Sequence, residues 1–230
     1  MTGTASARAA ELAGLERVAL SCTSCELAGD RTQVVFGAGH PDADLMIVGE
    51  APGRREDEQG VPFVGPSGKL LESLLDDIGL HRSDVYIANV VKCRPAGNRD
   101  PRQEEIDACS DYLRSQLRLV DPKVVLTLGN FSSKLLLRTE VGITRLRGTA
   151  YPWWGRFLVP TFHPAAALRG SARVMEEMRH DFGLVSRVIE GEITRDGSEA
   201  SENGENGADV TDQTEVGPDD EAPEQMGLFR

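Results

Sequence analysis

Four short apolar segments, separated by helical patterns, constrain the fold of this 230-residue chain most strongly. The apolar segments cover residues 45–49, 85–91, 124–129 and 157–162. Three of them are rich in β-branched residues, which is typical of buried strands. The helical patterns lie at residues 67–78, 102–119 and 171–190. Strands that alternate with helices predict an α/β fold of three layers, in which a mostly parallel four-stranded sheet lies between helices.

Polar or glycine-rich motifs follow each predicted strand. They are Gly49-Glu50-Ala51-Pro52-Gly53, Asn89, Gly129-Asn130 and His163-Pro164. In open parallel sheets, ligands bind just beyond the carboxyl ends of the strands. We therefore expect a carboxylate, an amide and an imidazole from distant parts of the sequence to meet at one edge of the sheet.

The acidity of the chain is concentrated in its last 40 residues. The whole chain has a net charge of −12, from 25 basic and 37 acidic side chains, but residues 191–230 hold 2 of the basic and 12 of the acidic ones. Residues 1–190 are therefore almost neutral and can present a basic face to DNA. No apolar run approaches the ~18 residues that span a bilayer. The N-terminus lacks a secretion signal, so we expect neither membrane insertion nor export.

Composition divides the chain into three parts. An apolar fraction of 40% is enough for a sizeable core, which we place in one domain at residues 1–190. Residues 191–224 are rich in Gly, Glu, Asp and Ser and have little apolar surface to offset the entropy of ordering, which predicts an acidic disordered linker. Residues 225–230 then restore apolar character.

Four cysteines are candidate metal ligands. Cys22 and Cys25 form a C-x-x-C pair, whereas Cys93 follows the second predicted strand and Cys109 lies in the next helix. In a chain without an export signal, we expect such residues to remain thiols or to bind a metal. Spacing alone leaves zinc and an iron–sulfur cluster open, and unrelated buried thiols are a further alternative.

Four ordered motifs, together with the cysteines, resemble the family 4 uracil-DNA glycosylases. The motifs are Gly49-Glu-Ala-Pro-Gly53, Gly60-Val-Pro-Phe-Val-Gly65, Asn89-Val-Val-Lys-Cys-Arg-Pro95 and His163-Pro164. The resemblance extends over residues 14–188 and implies the three-layer fold of those enzymes. It also implies a monofunctional enzyme that hydrolyses the N-glycosidic bond of uracil in single- or double-stranded DNA, the first step of base excision repair. It further implies a 4Fe–4S cluster held by Cys22, Cys25, Cys93 and Cys109.

The resemblance assigns uracil recognition to three side chains. The amide of Asn89 can accept a hydrogen bond from uracil N3–H and donate to O4, whereas cytosine reverses that pattern and would leave the amide mispaired. Phe63 would stack on the flipped base. His163 would donate to uracil O2 as negative charge accumulates on the leaving base, which makes it a catalytic residue.

Glu50 is the carboxylate that the resemblance offers for positioning or activating water, so it is the second catalytic candidate. Backbone N–H groups of the turn at Gly49, Glu50 and Ala51 could bind uracil O2. The family 1 enzymes have an aspartate where Ala51 stands, so Glu50 or substrate electrostatics must act instead. Glu56 and Asp57 are candidates to support this turn.

Several residues are candidate DNA contacts. Leu168 and Arg169 follow the His-Pro motif, where an apolar wedge could fill the gap left by a flipped base and an arginine could hold a phosphate. Further candidates for phosphate contact are Arg94, Arg99, Arg102, Arg145 and Arg147. One branch of the superfamily bonds covalently to the DNA sugar through a histidine, but residues 92–101 contain none. No lysine stands out as a Schiff-base nucleophile, so we expect no lyase step.

The chain ends in a short peptide with apolar anchors. Gln225-Met-Gly-Leu228-Phe229 resembles the peptide by which bacterial repair proteins bind the DNA sliding clamp. A glutamine and two apolar side chains on a flexible linker would dock in an apolar groove and keep the enzyme near replicating DNA. We therefore expect a clamp-binding peptide at residues 225–230.

Two other functions compete with the glycosylase. One is a non-catalytic module that binds DNA lesions or the clamp and retains the cluster, and the other is a polymerase-associated accessory protein. The joint presence of Glu50, Phe63, Asn89 and His163 favours the enzyme. We expect a monomer in the bacterial cytoplasm, associated with the nucleoid.

Overall fold

The computed structural model describes residues 5–170 and 172–193. The predicted linker at residues 191–224 lies outside the described residues except for its first three positions. The predicted clamp-binding peptide at 225–230 lies wholly outside them.

A six-stranded sheet forms the centre of the described chain. The strands are β1 (Ala38–Gly39), β2 (Leu45–Gly49), β3 (Tyr86–Asn89), β4 (Val124–Leu128), β5 (Tyr151–Trp153) and β6 (Arg156–Thr161), in the order β1-β3-β2-β4-β6-β5. The four inner strands are parallel, while β1 and β5 pair antiparallel at the edges. The predicted parallel sheet is confirmed, and its four strands are the inner ones. The two edge strands were missed because they are only two and three residues long, and β5 contains a proline, which sheets tolerate at their edges.

Helices cover both faces of the sheet. They are α1 (Ala5–Leu20), α2 (Leu27–Asp30), α3 (Arg54–Gln59), α4 (Pro66–Asp76), α5 (Gln103–Val120), α6 (Asn130–Leu137), α7 (Ile143–Leu146), α8 (Pro164–Leu168) and α9 (Ala172–Ile189). The three predicted helices correspond to α4, α5 and α9. Among the described helices, none has the length and apolar character needed to cross a bilayer.

The alternation of side chains along the strands creates two apolar clusters. Met46 and Val48 of β2 join the cluster that contains residues of α1 and α5, whereas Leu45 and Ile47 join the cluster that contains residues of α4 and α9. Each of these side chains is almost fully buried, which contributes about 1.5–3 kcal/mol per residue. Because both faces of the sheet are covered, polar chemistry is confined to the ends of the strands.

Candidate active site and cysteine cavity

The carboxyl ends of the inner strands bring three predicted site residues together. Gly49 ends β2 and lies opposite Asn89 at the end of β3. A Cβ atom on Gly49 would lie 2.4 Å from Asn89 Oδ1 and 2.9 Å from two ring carbons of Phe63. A glycine is therefore required here, since a larger residue would displace either the amide or the ring.

The loop that carries Phe63 is held in a strained conformation. Phe63 has a positive φ of 52°, and a Cβ on Gly68 would lie 1.8 Å from the Phe63 carbonyl oxygen. Arg82 donates to that oxygen at 2.9 Å and also to the carbonyl of Pro62. Glu56 Oε1 accepts hydrogen bonds from the N–H groups of the next two residues, at 3.0 and 2.9 Å. These contacts fix the aromatic ring beside Gly49.

Glu56 and Asp57 were expected to support the Gly49–Gly53 turn, but their carboxylates accept hydrogen bonds from other segments. Glu56 holds the loop that carries Phe63. The carboxylate of Asp57 is buried and accepts hydrogen bonds from the N–H groups of Thr32 and Gln33, at 2.9 and 3.4 Å. Asp57 therefore anchors the segment that follows α2.

Asn89 carries an unpaired polar atom in the interior. The residue is 1% exposed, and its Oδ1 has no hydrogen-bond partner among the described residues. An unsatisfied buried acceptor costs about 1–3 kcal/mol, so its presence at the end of a strand is unusual. A ligand that donates a hydrogen bond to this oxygen would remove the cost.

His163 follows β6 and caps α8. Its Nδ1 accepts a hydrogen bond from the N–H of Ala165 at 3.2 Å, and its ring centroid is 5.9 Å from that of Phe63. Burial lowers the pKa of His163, and the nearby positive charge of Arg169 lowers it further. The imidazole is therefore neutral near pH 7, with its proton on Nε2, because Nδ1 is occupied as an acceptor.

Glu50 shares its surroundings with a second carboxylate, Asp100, that sequence reasoning missed. Burial raises the pKa of Glu50 to about 7, and the charge of Asp100 and a hydrogen bond between the two side chains act in the same direction. Asp100 precedes α5 but does not cap it. The carboxylate at the start of that helix is that of Glu105, which accepts from the N–H of Arg102 at 2.8 Å.

A cleft of about 520 Å³ connects Glu50 with His163. Asp100 lines it as well, and its far wall is formed by α6 and the residues that follow, including Lys134 and Arg138. Phe63 and Asn89 are outside the lining of this cleft and meet at Gly49. His163 is common to both groups, since it lines the cleft and lies against Phe63. The catalytic candidates and the recognition candidates are thus adjacent.

The four cysteines surround one small cavity. Cys22 and Cys25 lie in the turns after α1, Cys93 lies after β3, and Cys109 lies in the second turn of α5. Helix α1 was not predicted, although Leu12, Leu15 and Ala19 have helical spacing and pack in the core. Without α1 packed against α5, the C-x-x-C pair would not reach the other two cysteines.

Two cations lie beside these thiols. Arg31 donates to Cys93 Sγ at 3.4 Å, and Lys92 lines the same cavity. Burial raises the pKa of Cys93, and it raises that of Cys109 to about 11. For Cys22, burial is outweighed by hydrogen bonds with Ser24 and Tyr112 and by the charge of Arg31, so its pKa is lowered.

The donor set of this cavity fits a cluster better than a single ion. Among the described residues, no three His, Cys, Asp or Glu side chains are grouped as ligands of one metal ion. Four thiols around one cavity, with two flanking cations, are a donor set that would fit an anionic iron–sulfur cluster.

Comparison with known proteins identifies the family. The sequence profile of the uracil DNA glycosylase superfamily matches residues 36–182. A type-4 uracil-DNA glycosylase from Sulfurisphaera tokodaii is 48% identical over 159 residues, covering 65% of this chain and 72% of that protein. Type-4 uracil-DNA glycosylases from Archaeoglobus fulgidus and Thermotoga maritima are 42% and 43% identical, over 75% and 68% of this chain and 90% and 83% of their own lengths. The chain belongs to the type-4 uracil-DNA glycosylases.

Two of the predicted DNA-contact residues of this type-4 uracil-DNA glycosylase are exposed. Leu168, at the end of α8, is 50% exposed, and Arg169 is exposed beside it. Arg94 is partly buried and donates to Asn98 Oδ1 at 2.7 Å. Leu168 and Arg169 are thus accessible from the surface at the end of α8, five and six residues beyond His163.

Three of the other arginines that were candidates for phosphate contact form ion pairs within the protein. Arg147 makes a two-point ion pair with the buried carboxylate of Asp181, at 2.6 and 2.9 Å. Arg99 binds the buried Glu105 in the same way, at 2.6 and 2.9 Å. Arg102 pairs with Glu26 at 2.9 Å. The expectation for Arg147 is wrong, because its guanidinium is committed to a carboxylate in the core.

Proposed function

We propose that the protein hydrolyses the N-glycosidic bond of uracil in DNA, acting on a base turned out of the strand. The observation that carries the proposal is the meeting of Phe63, Asn89 and His163 around Gly49 and Gly129. A Cβ on Gly129 would lie 3.1 Å from His163 Cβ, so this side chain also depends on a close glycine contact. An aromatic ring, an unpaired amide oxygen and a neutral imidazole are the groups that uracil needs.

Asn89 supplies the selection for uracil. Its buried Oδ1 lacks a partner, and uracil N3–H is a donor that would satisfy it, while the amide N–H₂ faces O4. Cytosine has an unprotonated N3 and would leave Oδ1 unsatisfied, at a cost of about 1–3 kcal/mol. Selection therefore arises from the penalty on the wrong base as much as from contact with the correct one.

His163 stabilises the leaving base. As the glycosidic bond breaks, negative charge develops on uracil O2, and the Nε2–H of a neutral imidazole can donate to it. The hydrogen bond from Ala165 to Nδ1 holds the ring in this tautomer. The interaction strengthens as the charge grows, so it lowers the barrier rather than only tightening binding.

Glu50 holds the attacking water. In its ionised form it can accept a hydrogen bond from water and stabilise positive charge on the sugar. A pKa of about 7 means that protonated and ionised forms are both populated near neutral pH. Asp100 is placed to share a proton or the water with Glu50, since both line the cleft that reaches His163.

The cysteine cavity supports a 4Fe–4S cluster as the resident group. Cys22, Cys25, Cys93 and Cys109 would hold it, and Arg31 and Lys92 would offset its negative charge. When bound, the cluster supplies iron–thiolate bonds that join the segment after α1 to β3 and α5. Cys93 lies four residues beyond Asn89, so a cluster held there would support the strand that carries the recognition amide.

A uracil-release assay tests the proposal. The cluster-loaded full-length protein is incubated with single-stranded, U·G and U·A oligonucleotides, and alkali then reveals abasic sites. We expect strand cleavage after alkali and none before it, because a monofunctional enzyme has no lyase step. Absence of cleavage on all three substrates would favour a non-catalytic lesion-binding module. Iron and sulfide analysis, with absorbance near 400 nm, distinguishes an iron–sulfur cluster from zinc.

The C-terminal peptide remains a proposal of its own. Gln225, Leu228 and Phe229 would bind a bacterial sliding clamp, while the acidic linker keeps the peptide away from DNA. Titration of a peptide covering residues 220–230 against the clamp tests this proposal. Equal affinity for a peptide in which Leu228 and Phe229 are both alanine would refute it. We also propose that the protein is a monomer of the bacterial cytoplasm, associated with the nucleoid.

A further inference from the structure

Lys92 is a fully buried lysine between the cysteine cavity and the recognition strand. It is 1% exposed, and its Nζ donates to the carbonyl oxygen of Asn89 at 2.7 Å and to Gln116 Oε1 at 2.5 Å. Its own N–H donates to Cys109 Sγ at 3.3 Å. One residue therefore contacts both the strand end that carries Asn89 and a ligand of the proposed cluster.

The partners of Lys92 leave its charge without a matching carboxylate. Both Nζ acceptors among the described residues are uncharged oxygens. A buried ammonium is costly unless an anion compensates it. The groups within reach that could carry a compensating negative charge are the cysteine sulfurs, because Lys92 lines the cavity of the four cysteines and its backbone N–H lies 3.3 Å from Cys109 Sγ. A loaded cavity would supply that negative charge.

Gln116 keeps the lysine in place from the other side. Its Nε2 donates to the carbonyl of Phe36 at 2.9 Å and to the hydroxyl of Tyr86 at 3.1 Å, while its Oε1 receives Nζ. The Lys92 carbonyl in turn accepts from the N–H of Val35 at 2.8 Å. The ammonium is thus fixed by β3 and α5 together, so it can hold the Asn89 carbonyl in one position.

We propose that Lys92 is a positioning residue that couples uracil recognition to the cluster. The anionic cluster balances the lysine charge, and the lysine holds the Asn89 main chain so that the side-chain amide presents its unpaired oxygen to the base. This inference rests on the proposed function. By reciprocity of coupling, a base bound at Asn89 must also stabilise the cluster.

Iron release from the wild-type protein tests the coupling without any substitution. The loaded full-length protein is mixed with an excess of a ferrous-iron chelator and a saturating oligonucleotide that contains one uncleavable 2′-fluoro-2′-deoxyuridine. The matched control oligonucleotide carries 2′-fluoro-2′-deoxycytidine at that position. We expect the uridine oligonucleotide to slow iron release several-fold relative to the control. Equal release rates with the two oligonucleotides would overturn the proposal.

Two lysine variants give the second test. Lys92→Met removes the ammonium while keeping the chain length, and Lys123→Met removes an exposed lysine paired with Asp44 at the opposite end of the sheet. For Lys92→Met, we expect about a tenfold weaker affinity for the uridine oligonucleotide per loaded molecule, approaching that for the cytidine one. Lys123→Met should match the wild type in both measurements.

The two experiments separate a positioning role from a structural one. If Lys92→Met only lowers the loaded fraction, and its loaded molecules bind the uridine oligonucleotide with wild-type affinity, the proposal is wrong. If the variant does not fold, the wild-type iron-release experiment decides alone. A wild-type protein that cleaves uracil-containing DNA but shows no effect of base on iron release refutes this inference and leaves the proposed function intact.

Discussion

Two neighbouring regions of the protein are built by different means. One is the recognition cluster, formed by Gly49, Phe63, Asn89 and His163, and the other is the cysteine cavity, whose Cys93 lies four positions after Asn89. Three residues of the recognition cluster come from strand ends that the parallel sheet brings together, and Phe63 comes from the loop before α4. The cluster depends on close contacts at glycines. The cysteine cavity comes from α1, the residues after β3, and α5, and it depends on charge. An added methyl group would disrupt the packing of the recognition cluster, whereas loss of a cation would disrupt the charge balance of the cysteine cavity.

This difference determines which substitutions each region tolerates. Steric changes should damage the recognition cluster and leave the proposed iron–sulfur cluster in place. Charge changes at the cavity should affect retention of iron and leave the chemistry of the base unchanged, except at Lys92, which contacts both regions. Substitutions in each region test whether the recognition cluster and the cysteine cavity respond independently.

Removal of the His163 side chain should have the largest effect. His163→Ala deletes the donor to uracil O2, and loss of such a donor lowers the rate by about 10²–10³-fold. Single-turnover excision measures the change, and the iron content should equal that of the wild type. His81→Ala, at an exposed histidine on the surface, is the matched control and should retain the wild-type rate. A fall of less than fivefold for His163→Ala would contradict the assigned role.

A single methyl group at Gly49 should have the next largest effect. Gly49→Ala places a Cβ within 2.4 Å of Asn89 Oδ1, so the amide or the Phe63 ring must move. Overpacking of this kind costs about 1–3 kcal/mol, which corresponds to roughly a 5- to 150-fold loss in uracil excision. Gly29→Ala is the control, because its Cβ would meet nothing within 4 Å. Wild-type activity in Gly49→Ala would show that the recognition cluster lies elsewhere.

Loss of a cavity cation should affect iron and spare the chemistry. Arg31→Met removes the hydrogen bond to Cys93 Sγ and a positive charge near Cys22. Hydrogen bonds with charged groups contribute about 1.5–3 kcal/mol, so iron release to a chelator should accelerate by at least about tenfold. The excision rate per loaded molecule should not change. An altered preference between uracil and cytosine in this variant would contradict the expectation that the two regions act independently.

The smallest change should be a shift in pH dependence. The pKa of Glu50 lies near 7 because burial and Asp100 disfavour its ionised form, so excision should rise as the pH increases through about 7. Asp100→Asn removes the neighbouring negative charge, which lowers the pKa of Glu50 and moves the rising limb to lower pH by about one unit. Single-turnover rates between pH 5 and 9 measure the shift. An unchanged limb would show that Glu50 and Asp100 do not interact during the reaction.

The sequence predicts the inner part of this fold well. The four parallel strands have continuous apolar runs, because both faces of the sheet are covered, and the helices α4, α5 and α9 have clear apolar stripes. The short helices and the edge strands were not predicted, since two to eight residues carry too little periodicity. Helix α1 was overlooked because its apolar residues form no single stripe: Leu12 and Ala19 are buried, whereas Val18 and Leu20 are exposed.

The candidate site was predictable to the extent that it lies at strand ends. Asn89 and His163 follow strands, so the sheet rule places them together. The contact of Asp100 with Glu50 and the burial of Lys92 depend on how the segment after β3 folds back, and no local pattern encodes that path. Arg147 was misassigned because sequence does not distinguish an arginine that meets a core carboxylate from one that meets a phosphate.

A crystal structure with free uracil soaked into the crystals would locate the base-binding site itself. We expect the base to lie against the Phe63 ring, with N3 and O4 facing the Asn89 side chain and O2 within hydrogen-bond distance of His163 Nε2. Uracil bound elsewhere, for example against Lys134 and Arg138 in the far wall of the cleft, with no contact to Asn89, would contradict this expectation.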